Sequence, residues 1–325
     1  MRRALPLAAL LLLAVFREAP ALEAGPHPYF SRTASGSAMG NAIVSLPAHP
    51  SNIWANPAGL AFQEGALFYA APHDEVSGYS EDFRDRVLAA SSERPGAGGI
   101  GIAIIVRQND DQLYRSGDAI RRVDIIEPAF FLAYGRKVGA KTAAGVSLFG
   151  YQHRADVDLF DGSPTAGLAA SVLRVWDHAL RGKLPLEWRW GFAAGNIGPS
   201  YDIGETETNL PLYLRTGVST KWEAGRQNRV VGSADLYFLP RKEGEAGRRF
   251  GGGIGAETVL AGTAAIRVGY VWDEERDRSD PTFGFGIGNE VYPHIGGMIE
   301  YGHGPGDGAG GDFADHFGVR VYWIP

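Results

Sequence analysis

At 325 residues, with 21% charged residues and a formal charge of −6, the chain is long enough for one large domain and too acidic to seek nucleic acid. It has no cysteine, which excludes a disulfide framework and thiolate metal sites. Its 45 Gly, 16 Phe, 13 Tyr and 7 Trp, against 3 Met and without a collagen period, point to an all-β chain with many turns.

The first residues read as an export signal spanning 1–24: basic Arg2-Arg3, apolar Ala4 to Phe16, then Ala19-Pro20-Ala21, with cleavage after Ala21 or Ala24. The apolar run is too short to span a membrane as a helix, and no later run of 18 apolar residues occurs. Cleavage after Ala21 removes Arg2, Arg3, Arg17 and Glu18, so the formal charge falls from −6 to −8. Residues 25–62 form a separate segment before the first strand, small-residue-rich over 39–62. Between 30 and 62 its only formal charge is Arg32, and Trp54 and Phe62 are its large apolar anchors. Asn56-Pro57-Ala58-Gly59 reads as a turn in which Asn caps or bends, Pro fixes φ and Gly accepts a positive φ.

From 63 to 325 the pattern is alternation. Trp188, Trp190 and Phe192 alternate with Glu187, Arg189 and Gly191. The run from Leu210 through Leu212, Leu214, Thr216 and Val218 to Trp222 alternates with Tyr213, Arg215, Gly217 and Ser219. Ile266, Val268, Tyr270 and Trp272 oppose Arg267 and Gly269, and Phe317, Val319, Val321 and Trp323 oppose Gly318, Arg320 and Tyr322. A period of two over nine or more residues exceeds the usual soluble strand and predicts a transmembrane, antiparallel, up-and-down β-barrel whose apolar parity faces lipid.

Long polar gaps at 197–209, 240–248, 273–281 and 303–315 alternate with compact joins near 136–140, 224–228, 260–262 and 291–294, whereas 177–185 is long for a turn. Strands begin near 66, 97, 122, 141, 163, 186, 210, 229, 248, 262, 281, 295 and 316. An even count is required when both ends of the barrel lie on one side of the membrane. Phe83 to Ser92 supplies the missing descending strand, giving about 14.

Phe250 to Glu257 is repeated 33 residues later as Phe283 to Glu290, which aligns Arg267 with Glu300 on the inner face. Arg215, Arg267, Glu300 and Arg320 are the candidate lumen charges of a network that keeps the interior polar. Pro128 interrupts the strand Val123 to Tyr134, and proline without its N–H marks a bulge, an edge or a gap. No catalytic set stands out. The eight His are scattered, no His-Glu-x-x-His or Gly-x-Ser-x-Gly occurs, and no cofactor or metal is expected. Gly96 to Gly101 fits a dinucleotide fingerprint only in letters, because it leads into a strand and not a helix, and Gly304 to Asp312 reads as an outer loop.

The phrase Gly40-Asn41-Ala42 … Trp54-Ala55-Asn56-Pro57-Ala58-Gly59-Leu60-Ala61 resembles the N-terminal signature of PorV/PorQ-like outer-membrane proteins, which are related to the FadL long-chain fatty-acid transporters. The phrases Leu210 to Gly217, Ile266 to Tyr270, Phe283 to Gly288 and Asp315 to Val319 resemble strands of the same group. The resemblance implies a 14-stranded barrel in the bacterial outer membrane, with residues 25–62 as a small plug and Gly40, Asn41, Trp54, Asn56, Pro57, Ala58 and Gly59 as its motif. It implies passive transport of hydrophobic small molecules, with Pro128 opening a side gap in the wall. The alternative it implies is a component of type IX secretion that shuttles or anchors cargo. The partners to expect are outer-membrane lipid with either a hydrophobic ligand or secretion proteins, and not nucleic acid.

Overall fold

A computed structural model describes residues 32–74, 82–116, 119–157, 161–180, 184–223, 227–240, 249–274, 278–292, 294–305 and 313–323. The expected export signal lies outside these residues. Among the described residues seventeen strands follow the N-terminal segment, and fourteen of them form one antiparallel wall. In order these are β1 (Ala66–Asp74), β2 (Asp82–Arg94), β3 (Gly98–Ser116), β4 (Ala119–Gly139), β5 (Thr142–Tyr151), β7 (Thr165–Leu180) and β8 (Leu184–Ile197). Then come β11 (Tyr213–Glu223), β12 (Arg229–Leu239), β13 (Arg249–Leu260), β14 (Ala264–Asp273), β15 (Arg278–Tyr292), β16 (Ile295–Pro305) and β17 (Phe313–Trp323). Pairing of β1 with β17, from Ala66↔Trp323 to Asp74↔Asp315, closes the cylinder. The expected barrel of 14 strands is therefore the observed fold, with Phe83 to Ser92 lying inside β2.

Closure leaves no sheet edge, and alternation then sorts the side chains. Ile102, Phe130, Leu132, Leu148, Val218, Ile266, Val268, Phe285, Ile299 and Phe317 stand exposed on the outer surface, whereas Arg215, Ser219, Arg267 and Glu300 on the opposite parity are buried inside. A soluble protein does not leave such a continuous apolar belt in water, and the belt suits a lipid environment.

Three boundaries differ from the sequence reading. The long join at 177–185 shrinks because β7 runs on to Leu180 and β8 starts at Leu184. Leu210 and Leu212 precede β11, with Pro211 between them, and Leu210 packs into the interior instead of facing outward. Within the outer gap at 197–209 a small hairpin forms, β9 (Tyr201–Ile203) with β10 (Thr206–Thr208), turning at Gly204, whose φ is +57°. The two-residue strand β6 (Arg154–Ala155) pairs with β4.

Residues 32–62 run inside the cylinder. Helix α1 (Ala34–Ala38) is capped by the Thr33 hydroxyl, which accepts from Gly36 N–H at 3.2 Å. Two 3-10 turns, Pro50–Ile53 and Pro57–Phe62, each start on proline, where the missing N–H is an orphan in any case. Small side chains and frequent turns let this segment fold back on itself within the confined lumen.

Candidate functional site

Two buried wall carboxylates, seven strands apart in the fourteen-strand cycle and so on opposite walls, hold the inner segment. On β12, Asp235 Oδ2 accepts from Ile43 N–H at 2.7 Å and Val44 N–H at 2.8 Å. The same oxygen takes Arg215 at 2.9–3.0 Å, and Arg215 also donates to the Asn41 carbonyl. On β2, Asp85 pairs with Arg32, the segment's single expected charge, and with Arg107 Nε at 3.3 Å. Smaller contacts fill in between: Thr282 Oγ1 accepts from Gly40 N–H at 3.0 Å and donates to Ala38 O at 2.9 Å, Ser171 Oγ accepts from Ala58 N–H at 2.9 Å, and Ser219 Oγ donates to Ser45 O at 3.1 Å.

Between these anchors the wall offers glycine where the inner backbone comes closest. A Cβ on Gly253 would overlap the Gly40 carbonyl oxygen, and one on Gly255 the Met39 carbonyl. Gly302 meets Ala34 O in the same way, Gly191 meets Val44 O, Gly135 meets Pro57 O, Gly145 meets Ala58 N and Gly99 meets Leu60 O. These glycines sit on strands all round the barrel, so the inner segment has a moulded seat.

The expected motif residues take these places, with two corrections of role. Gly59 does not adopt a positive φ; a side chain there would strike the Asn52 amide, so close packing is its constraint. Asn56 makes no capping bond, and its amide reaches the Val44 carbonyl instead. Positive φ belongs to Gly40 at +61° and to Asn41 at +61°. Trp54 is fully buried, its ring 6.3 Å from that of Phe131 and its carbonyl accepting from the Tyr213 hydroxyl at 3.3 Å.

Three of the four candidate lumen charges, Arg267, Glu300 and Arg320, come together, joined by Glu257, which the sequence reading did not single out. Arg267 Nη2 lies 2.7 Å from Glu300 Oε1 and Arg267 Nε lies 2.8 Å from Glu257 Oε2. Arg320 reaches Glu300 at 2.5 Å and Ser35 Oγ at 3.2 Å, and Arg229 joins Glu257 at 3.1 Å. Arg267 passes over β15 to reach Glu300 on β16, and Gly286 lies beneath it with no side chain to block the way. Arg215 stands apart from this chain of charges, on Asp235.

Pro128 sits where β5 stops. The pairing of β4 with β5 ends at Ala129↔Tyr151, and that of β4 with β6 resumes at Ile126↔Arg154. No register shift accompanies the proline, so it is not a bulge in this ladder. Inside the wall at this point lie rings and apolar side chains. Phe131 and Phe149 have centroids 5.7 Å apart, Tyr151 meets Tyr201 of the outer hairpin edge-on at 5.7 Å, and Ile53, Trp54, Ile105, Ile203 and Leu210 belong to the same cluster.

No protein-family model and no curated protein matches the chain. Among solved structures it is similar to the Pseudomonas putida toluene transporter TodX, at 11% identity and a TM-score of 0.55, covering 90% of this chain and 97% of that one. It is similar to the CymD monoaromatic hydrocarbon channel at 11% identity and 0.56, covering 91% and 99%. A Pseudomonas aeruginosa FadL homologue also aligns, at 11% identity and 0.50, covering 90% and 98%. The likeness is one of fold, along nearly the whole chain.

Proposed function

We propose that this protein is a passive channel of the bacterial outer membrane for small hydrophobic molecules. The apolar outer belt suits lipid, and channels of this fold include proteins named for toluene and monoaromatic hydrocarbons, which supports the solute class. The observation that carries the reading is the hydrogen bond missing from the wall at Pro128, which has no N–H to return to Gln152, backed by the ring cluster. Residues 32–62 act as a plug that fills the straight path, and the Glu257–Arg267–Glu300–Arg320 charges make that path poor for an apolar molecule. A solute entering from the long-loop end would rest among Phe131, Phe149, Tyr151 and Tyr201 and leave sideways through the seam.

A PorV-like role in type IX secretion is the second reading, carried by the Trp54 to Gly59 signature. Those residues are buried against the wall and offer no surface to a cargo, which favours transport. The test is uptake of toluene and of a long-chain fatty acid into vesicles with a lipopolysaccharide outer leaflet, whose sugar layer slows unaided entry. Faster uptake than by protein-free vesicles is the expected result. No uptake, with co-purification of secretion proteins from cells, would support the second reading instead.

A further inference from the structure

The seam beside Pro128 is bridged on its inner side by a cluster of polar side chains. Ala129 opposes Tyr151, Ile126 opposes Arg154 and Ile125 opposes Ala155, so one register holds on both sides of the interruption. That register sets Glu127 opposite His153 and Pro128 opposite Gln152. Gln152 N–H donates to Pro128 O at 3.2 Å, and proline has no N–H to return the bond. Bonded and non-bonded pairs alternate along an antiparallel ladder, which makes Glu127 and His153 a pair without backbone bonds. Side chains do the bridging. His153 Nδ1 lies 2.9 Å from Glu127 Oε1, and the Tyr151 hydroxyl donates to the same oxygen. Both His153 and Glu127 are inward and largely shielded, with side-chain exposures of 7% and 12%. On the far side of Glu127 the register places Arg107, which binds Asp85, the plug's anchor. A row of polar side chains, Asp85, Arg107, Glu127 and His153, thus crosses neighbouring strands at one level and ends beside Pro128.

We propose that Glu127 is the latch of a side gate. Its carboxylate, held by His153 and Tyr151, keeps the seam closed where proline leaves the backbone ladder one hydrogen bond short. Glu127 is a positioning residue and need not touch the solute. The inference deepens the sideways-release reading and rests on it for its function.

The natural chain has no cysteine, so single thiols report cleanly. Ala129→Cys places one on the buried inner face beside Tyr151. In vesicles its reaction with a bilayer-soluble maleimide should be slow in the otherwise natural chain. Glu127→Gln, which keeps the shape but removes the charge, should speed it by about tenfold or more, the factor carried by losing a charge-assisted hydrogen bond. His153→Asn should act in the same direction and serves where Glu127→Gln does not assemble. Unchanged labelling in an assembled variant overturns the latch. A second arm separates the latch from the transport reading: Glu127→Cys with His153→Cys, oxidised to a disulfide, should stop hydrophobe uptake and regain it on reduction. Uptake that ignores the disulfide would refute sideways release, while the labelling rate still decides whether Glu127 holds the seam.

Discussion

Asp235→Ala should unseat one side of the plug. The wild-type carboxylate accepts two backbone N–H groups and the Arg215 guanidinium, with side-chain exposures of 1% for both Arg215 and Asp235. Removing one partner of a buried ion pair costs about 3–5 kcal/mol, because the remaining charge is left without compensation. Each orphaned amide adds about 1–3 kcal/mol, though these losses overlap and do not sum. A net loss near 4 kcal/mol would raise the unseated population about a thousandfold, at about 1.4 kcal/mol per decade. The assay is ion conductance of single barrels in a planar bilayer. Wild-type protein should be quiet and Asp235→Ala should flicker open. The Arg32–Asp85 anchor across the barrel should prevent a steady open state until Asp85→Ala is added. Asp235→Leu combined with Arg215→Met should be quieter than Asp235→Ala alone, since no charge is then stranded. If Asp235→Ala assembles, migrates as a folded barrel and conducts no more than wild type, the plug is held by packing and not by this carboxylate.

Other consequences follow from particular contacts. Gly253→Ala sets a Cβ against the Gly40 carbonyl, backbone on backbone, and should give a leaky or unassembled barrel; Gly150→Ala, with no atom within 4 Å of the new Cβ, should behave as wild type in the same conductance and heat-migration assays. Glu300→Gln leaves Arg267 and Arg320 without their shared partner and should lower unfolding stability in denaturant titrations by about 3–5 kcal/mol. Exchanging the charges at both positions should not rescue it, because a carboxylate at 267 would face Glu257 and a guanidinium at 300 would face Arg320. Pro128→Val restores an N–H to the seam and should slow hydrophobe uptake with assembly intact. His49, half-buried in the plug, has its pKa lowered from 6.5 to about 3, by loss of water around the ring and then by Arg320. Its released form takes the proton first as pH falls, so seating should be complete above about 6.5 and weaken towards pH 3, by at most about 1.4 kcal/mol per pH unit. Conductance that stays flat from pH 7 to 4 would contradict it.

Much of the cylinder was legible because alternation is a property of each strand alone. Ile266, Val268 and Tyr270 against Arg267 needed no knowledge of the partners, and the 33-residue repeat even brought Arg267 towards Glu300. The Glu257 and Asp235 contributions were readable in principle. Asp235 shares its parity with Val231, Ser233 and Tyr237, and so points inward with them. What no strand pattern could show is the path of residues 32–62. The roles of Gly253, Gly191 and Gly145 exist only against that backbone. Gly59 illustrates the same limit: its letter suits a positive φ, but its reason is the Asn52 side chain. The β9–β10 hairpin was missed because three-residue strands carry too little alternation, although Gly204 at its two-residue turn was a usable signal.

A stoppered barrel with a side exit should pass apolar solutes without passing ions. The most direct measurement pairs toluene uptake with ion conductance on the same reconstituted protein, in vesicles with a lipopolysaccharide outer leaflet. Uptake well above protein-free vesicles, with no steady ionic current, is the expected result. Uptake that appears only alongside ion flow, or no uptake from a correctly assembled barrel, would contradict it.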